Sequence, residues 1–307
     1  MSTLGSDITD EAVKEVLHAR RYFAQALDPI HVGTGGETLG RVDLAIVREP
    51  GTNLPKLPGT SLSGACRAYA ALRDGRPQCA GQGQAKKNDK GETVREEHCG
   101  TCRICQTFGY AKGDSGGKKG AVQFTDAHIV AFPVASTGGP IWVTSADALA
   151  HVVNEKEAIA DAAMGTVQSA DTALGETVAI GWLALKRAPL TKTLPPLSGI
   201  AAERLVLVPN RIFPTIVNDN LEVRTSVSID AITGAADDGA LFTYEALPTG
   251  TVVVFTVTYQ GKDAPTTRSE ARTTVEDGLT LFAWLGVGGM NTRGMGRLRV
   301  LEGTASK

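Results

Sequence analysis

Cys99, Cys102 and Cys105 stand at C-x2-C-x2-C spacing in "CGTCRIC". Two intervening residues let a backbone knuckle aim successive thiolates at one ion, and a tetrahedral ion then needs a fourth ligand. Cys79 takes that place ahead of His98, because structural zinc favours thiolates. Iron–sulfur proteins use similar spacing, but no second cluster and no following Cys-Pro occurs here. The reading is a structural zinc ion that folds a segment with little apolar content of its own. The fifth cysteine, Cys66, lies on the apolar side of a helical pattern and reads as plain core.

A second constellation is "HVGTGGETLGRVDLAIVRE", residues 31–49. His31 is followed by Gly33, Gly35, Gly36 and Gly40, and the loop ends on Asp43. Two readings stand: an Asp closing an ordinary surface turn, or a pliable loop shaped around a polyanion, with Asp43 working there. A third stretch, "LGVGGMNTRGMGRLRV", sets Arg293 and Arg297 among Gly286, Gly288, Gly289, Gly294 and Gly296. A dinucleotide site needs strand, glycine loop and helix in that order. Here the order is helix, loop, strand, which excludes that cofactor. What remains is a tight turn, or a loop whose bare backbone N–H groups approach phosphate oxygens.

The elements that must position these residues read as α+β. The pattern predicts a helix over 9–21, a strand over 22–27, and a helix over 61–73 capped by Ser61, with Leu62, Ala65, Cys66, Tyr69 and Leu72 on its apolar face. Residues 74–119 are polar, glycine-rich and carry the cysteines, so they read as an insertion. Strands return over 121–134. A helix capped by Ser145 is expected over 145–163, and an extended hairpin or arm over 179–199. Strands follow at 204–208 and at 251–259, where Val253, Phe255, Val257 and Tyr259 share a face. "TVEDGLTLFAWLGVGG" reads as a helix and "RLRVLEG" as the last strand.

The chain has 307 residues and a formal net charge of -2. That balance does not mark a nucleic-acid binder, which needs only a local basic face. Lys56, Arg67 and Arg73 fall in one acid-free stretch, Lys186, Arg187 and Lys192 in a second, and Arg293, Arg297 and Arg299 in a third. They fit a one-sided polyanion surface as well as ordinary solvated faces. No apolar run approaches membrane-span length, and the N-terminus lacks signal-peptide character. A cytoplasmic protein is expected, where clustered cysteines mean metal rather than disulfides.

Four ordered segments resemble the RAMP superfamily of CRISPR proteins, and within it the backbone subunits of type III-B (Cmr) effector complexes. They are "LDPIHVGTGGETLGRVDLAIVREPGTNLPKLPGTSLSGACR", "CGTCRICQTFG", "VRTSVSIDAITGAADDGALFTYEALPTGTVV" and "LGVGGMNTRGMGRLRV". The resemblance implies a single domain over 1–307 with a ferredoxin-like palm, similar to an RNA recognition motif. It also implies a zinc-binding insertion at 74–119 and a β-hairpin thumb, drawn from 181–225. Implied partners are a guide CRISPR RNA, a target RNA, further copies in a filament and other Cmr subunits, with no membrane. The implied activity is metal-dependent endoribonuclease cleavage of target RNA at regular intervals, using Mg²⁺ or Mn²⁺; the alternative is a non-catalytic guide-RNA scaffold.

Asp43 matches the family's cleavage-site Asp, His31 its "HVG" and Glu245 an acidic position near the site. Lys56, Ser61 and Arg67 match a helix N-terminus that holds guide phosphates, although Ser63 stands where relatives usually carry Lys. Arg293 and Arg297 would complete the channel, and Lys186 and Arg187 suit an RNA-facing arm. Attack by a ribose 2′-OH needs an in-line backbone, charge neutralisation at phosphate and a group to manage the proton. Asp43 can serve by holding a hydrated ion or as a base.

Overall fold

The computed structural model describes residues 17–35, 42–81, 86–87, 93–94, 98–112, 116–153, 157–197, 199–229, 232–235, 241–261 and 264–305. In chain order the elements are β1 (Leu17–Ala26), β2 (Lys56–Leu57), α1 (Gly59–Arg73), β3 (Lys86–Lys87), β4 (Thr93–Val94), α2 (Arg103–Phe108), β5 (Gly109–Lys112), β6 (Gly116–Lys119), β7 (Val122–Phe124), β8 (Ala127–Ser136) and β9 (Gly139–Thr144). There follow α3 (Ala146–Ala150), β10 (Thr166–Gln168), β11 (Thr177–Ile180), β12 (Leu183–Ala188), β13 (Leu205–Leu207), α4 (Phe213–Asp219), β14 (Glu222–Ser226), β15 (Phe242–Ala246), β16 (Val252–Gln260), α5 (Arg268–Thr280), α6 (Phe282–Leu285) and β17 (Leu298–Ala305).

Four long antiparallel strands lie in the order β17-β1-β16-β8, with α1 between β1 and β8 in the chain and α5 between β16 and β17. The alternation expected in β16 is realised: Val253, Phe255, Val257 and Tyr259 join the main core with Tyr22 and Ala24 of β1. Tyr22 stacks on Phe255 at 5.6 Å between ring centroids. The two helices meet closely at Gly278, where a Cβ would run into the backbone of Cys66. Cys66 is buried as expected, its thiol donating to the Val275 carbonyl and pushed above the usual thiol range by burial.

Beyond β8 the sheet continues through β9, β13, β10, β12 and β11, and β11 bridges back to β8 through Ile180 and Ser136. This half of the sheet therefore curls closed around Val134, Ile141, Val178 and Val206. The opposite face carries a second core of Val130, Leu149, Leu205, Leu207 and Val254.

Several expectations are corrected. Residues 17–21 of the expected helix over 9–21 are strand, paired with β16 and, from Arg20, with β17; ladder pairing on two sides overrides a helical pattern. The remainder of that expectation lies outside the described residues. Ser61 sits inside α1 and does not cap it. Pro58 holds the N-cap position, and the Asp126 carboxylate accepts from the Gly59 N–H at 2.8 Å. Leu72 faces outward. Ser145 does cap α3, accepting from Ala148 N, but that helix ends at Ala150. The helix expected at "TVEDGLTLFAWLGVGG" starts earlier, at Arg268, because Thr267 caps it there, its side chain accepting from Glu270 N. Residues 181–225 divide among β12, β13, α4 and β14; β12 lies within the large sheet.

Candidate nucleic-acid site and cysteine centre

Three separate motifs meet on one strand, β15. Leu44 forms a parallel bridge with Tyr244, which places Asp43 beside Thr243. The Asp43 Oδ2 accepts from Thr243 N at 2.7 Å and from Thr243 Oγ1 at 2.9 Å, and the Asp43 N–H donates to the same hydroxyl at 3.1 Å. Asp43 is exposed. The Thr243 backbone N–H, then its hydroxyl, hold the carboxyl below the ordinary carboxylate range, so it is charged at neutral pH.

His31 is buried, with Nδ1 2.7 Å from the carbonyl of Glu245. A carbonyl only accepts, so Nδ1 carries a proton and Nε2 is the ring atom left to face the site. That atom faces Gly33, where a Cβ would stand 3.0 Å away. The third motif is the C-terminal glycine loop. Gly289 N donates to the His31 carbonyl at 2.8 Å, and Gly288 at φ +89° lies where any side chain would strike the same carbonyl. Met290 and Met295 pack with Phe242 and Tyr244. Exposed Arg293 lies over the Phe242 ring at 5.3 Å. The site thus joins an exposed carboxylate, an oriented imidazole and a cation on an aromatic face.

Glu245, expected near the chemistry, is otherwise engaged. Its carboxylate forms a bidentate pair with Arg48 (2.5 and 2.9 Å) and accepts from Ile46 N at 2.9 Å. Arg48 also reaches Asn218 of α4. Neither Arg48 nor Thr243 stood out in the sequence, since both lie within stretches read for another residue. The geometry makes Glu245 the anchor of the segment carrying Asp43. Glu245→Ala leaves Arg48 half-buried and the Ile46 N–H without its acceptor, and is expected to cost roughly 3 kcal/mol. Glu245→Gln keeps an acceptor and costs less. Urea unfolding midpoints of the two variants check the order.

The guide-phosphate candidates separate into two sets. Lys56 Nζ sits between Asp126 (2.7 Å) and Glu49 (2.8 Å), and those two carboxylates raise its pKa. Arg297 pairs twice with Asp28, at 2.5 and 2.9 Å. Arg67 turns to the cysteines, its Nε donating to the Cys79 carbonyl at 2.8 Å. Ser61 is only partly exposed on α1. Arg187 Nε donates to the Gly175 carbonyl, while Lys186 and Arg293 are exposed.

The thiols of Cys79, Cys99, Cys102 and Cys105 lie within 4.8 Å of one another. Cys79 and Cys99 sulfurs are 3.6 Å apart and those of Cys99 and Cys105 are 4.0 Å apart. A tetrahedral zinc–thiolate centre has sulfurs about 3.8 Å apart, from Zn–S bonds of ~2.3 Å. The knuckle is built: Cys102 N donates to Cys99 Sγ and Cys105 N to Cys102 Sγ. Burial opposes ionisation of Cys99, but backbone N–H groups of Thr101 and Cys102 outweigh it and bring its pKa down to about 6. Burial pushes Cys105 up to about 12. His98 is not among the four; its Nδ1 faces the Arg67 guanidinium at 3.3 Å. The centre packs on Ala70, Ala71 and Ile104, tying the segment to α1.

Such a sheet under two helices, with an acidic loop and a basic glycine loop meeting on β15, defines a class that comparison with known proteins makes specific. The chain belongs to the RAMP superfamily, whose family model matches residues 23–299. It is 25% identical over 269 residues to the CRISPR system Cmr endoribonuclease Cmr4 of Pyrococcus furiosus, covering 77% of this chain and 81% of that protein. Its fold is similar to a chain of the type III-B Cmr-beta complex bound to cognate target RNA (TM-score 0.69, 16% identity, 93% and 97% of the two chains). It is also similar to oligomeric Cmr4 from Pyrococcus furiosus (TM-score 0.60, 18% identity, 94% and 98%). Among the described residues no helix is long and apolar enough to cross a membrane.

Proposed function

We propose that this chain is the backbone subunit of a type III-B CRISPR effector, lying in several copies along a guide RNA and cutting bound target RNA at regular intervals. The observation that carries the reading is Asp43: an exposed carboxylate, oriented by β15, in a chain similar over most of its length to a Cmr endoribonuclease. The β17-β1-β16-β8 order with α1 and α5 supports a ferredoxin-like palm. The four thiols suit one structural zinc.

The thumb is better supplied by β14–β15 than by 181–225. That hairpin forms its own two-stranded sheet. Val223, Val227, Ile229, Ile232 and Leu241 on or next to it are exposed, Ile232 at 95%. Apolar side chains so presented suit wedging between base steps, which kinks the backbone toward an in-line geometry. Lys186 and Arg293 suit phosphate, whereas Lys56, Arg67 and Arg297 serve the fold.

Beside such a kink Asp43 offers Oδ1, which makes no hydrogen bond among the described residues. One carboxylate oxygen together with RNA phosphate suits a largely hydrated Mg²⁺ or Mn²⁺. When bound, that ion supplies charge neutralisation at the scissile phosphate. Asp43 would hold such an ion or itself take the 2′-OH proton, and His31 Nε2 is a second polar atom built into the site.

The test is reconstitution with guide RNA, the partner subunits, labelled target and Mg²⁺. Products at a constant spacing that follows the number of subunits support the reading. Guide and target held firmly with no cutting leave a scaffold.

A further inference from the structure

Asp43 is exposed and follows buried Val42, so the direction of its side chain is set by what its polar atoms touch. All three hydrogen bonds it makes among the described residues through its carboxylate and N–H go to one residue, Thr243. We infer that Thr243 is a positioning residue for target cleavage: its hydroxyl closes a ring that fixes Asp43 Oδ2 and leaves Oδ1 facing outward to the RNA. This rests on the function proposed above.

The ring has one consistent proton arrangement. The Thr243 hydroxyl accepts from the Asp43 N–H, so its own proton is free to point elsewhere, and the carboxylate 2.9 Å away is the acceptor it meets. The Thr243 backbone N–H reaches the same Oδ2 at 2.7 Å. Two donors on one oxygen leave the other oxygen as the outward one and remove rotation about the carboxylate axis. The backbone adds to the alignment: Leu44 N donates to the Thr243 carbonyl at 3.0 Å. Thr243 is set in a paired strand, facing Thr225 of β14 in the hairpin register. Position and direction of the carboxylate are therefore inherited from the hairpin itself. Movement of the hairpin against RNA would move Asp43 with it.

Thr243→Val keeps the β-branched shape and the backbone N–H but removes the hydroxyl. Thr243→Ser keeps every bond. In the assembled complex with guide, target and Mg²⁺, single-turnover cleavage by the Val variant is expected to fall about 10- to 100-fold with target binding unchanged, the scale of a slightly misplaced reacting group. Its acid limb should move up toward the ordinary aspartate value, because one donor to the carboxylate is lost. The Ser variant should restore rate and profile. A merely structural Thr would shift neither the acid limb nor the Ser–Val contrast, and thermal unfolding of both variants separates that case. Asp43→Asn is run alongside. If it is inactive while Thr243→Val keeps the wild-type rate and acid limb, the role of Thr243 is overturned and the function stands. If Asp43→Asn cuts like wild type, both are overturned.

Discussion

Asp43→Ala will slow target cleavage by about 10²–10⁴-fold in the assembled complex, the range of a lost acid–base or charge-stabilising group, while guide and target stay bound. Binding survives because the carboxylate is exposed and repels phosphate rather than gripping it; removing it takes no cation from the surface. Among the described residues its bonds run to Thr243 alone, so the fold loses a local clasp and nothing of the core. Asp43→Asn is the sharper variant. Its amide oxygen still accepts from both Thr243 donors, so shape is kept and charge alone is removed. Equal loss in the two variants means that the charge does the work, whereas an active Asn variant means that the loop's shape does. The pH profile follows from the sign of the shift. The Thr243 donors depress the Asp43 pKa, so the carboxylate persists below the ordinary aspartate range and the acid limb lies there. A limb near neutral pH would point to a different essential group. Denaturing gels of end-labelled target, run over pH and with each variant, decide among these.

What the sequence disclosed about this site was its parts, and what it concealed was their pairing. Glycines at 33, 288 and 289 flagged two pliable segments, and both prove to fit around His31. Nothing in one-dimensional order says that residues 43 and 243 will share a proton ring across β15, since that depends on a bridge between Leu44 and Tyr244. For the same reason the cations were legible as residues and illegible as charges. Lys56 and Arg297 lie in stretches free of acids, but Asp126 and Asp28 come from elsewhere in the chain and neutralise them. Glu245 stands out in the sequence as an acidic position expected near the chemistry, but its partner Arg48 makes it a brace. Strand and helix type were clear where one period dominated, as in β16 and α1. They failed in β1, where pairing on two sides imposes a strand on residues with a helical pattern. The cysteine spacing was the most local signal and the most faithfully realised, because a C-x2-C knuckle is made by adjacent backbone N–H groups and needs little from the rest of the fold.

That local character sets the second large effect. Cys105→Ser will release the metal we assign to the four thiols and loosen residues 98–112, at a cost on the order of 5 kcal/mol, below the ~10–16 kcal/mol of zinc binding in small zinc-dependent peptides because three ligands remain and α1 stays folded. Cys105 is 1% exposed, in a small cluster of Ile104, Ala70, Ala71 and the other cysteines, edged by Ala80, Phe108 and Tyr110. Four sulfurs held at contact distance cannot all ionise without a shared cation, as the opposite shifts of Cys99 and Cys105 already indicate. Arg67, aimed at this group, adds a positive charge but cannot replace an ion at its centre. Metal content by mass spectrometry should be one zinc per chain in the wild type and near zero in the variant, with new protease cuts confined to this segment. His98→Ala should keep its zinc, since His98 faces Arg67, and Cys66→Ala should keep it as well, since that thiol lies against α5. The contrast among the three variants matters more than any one value: zinc lost with His98 and retained with Cys105 would reverse the ligand assignment, while zinc in none of them, wild type included, would leave four close thiols awaiting oxidation rather than metal.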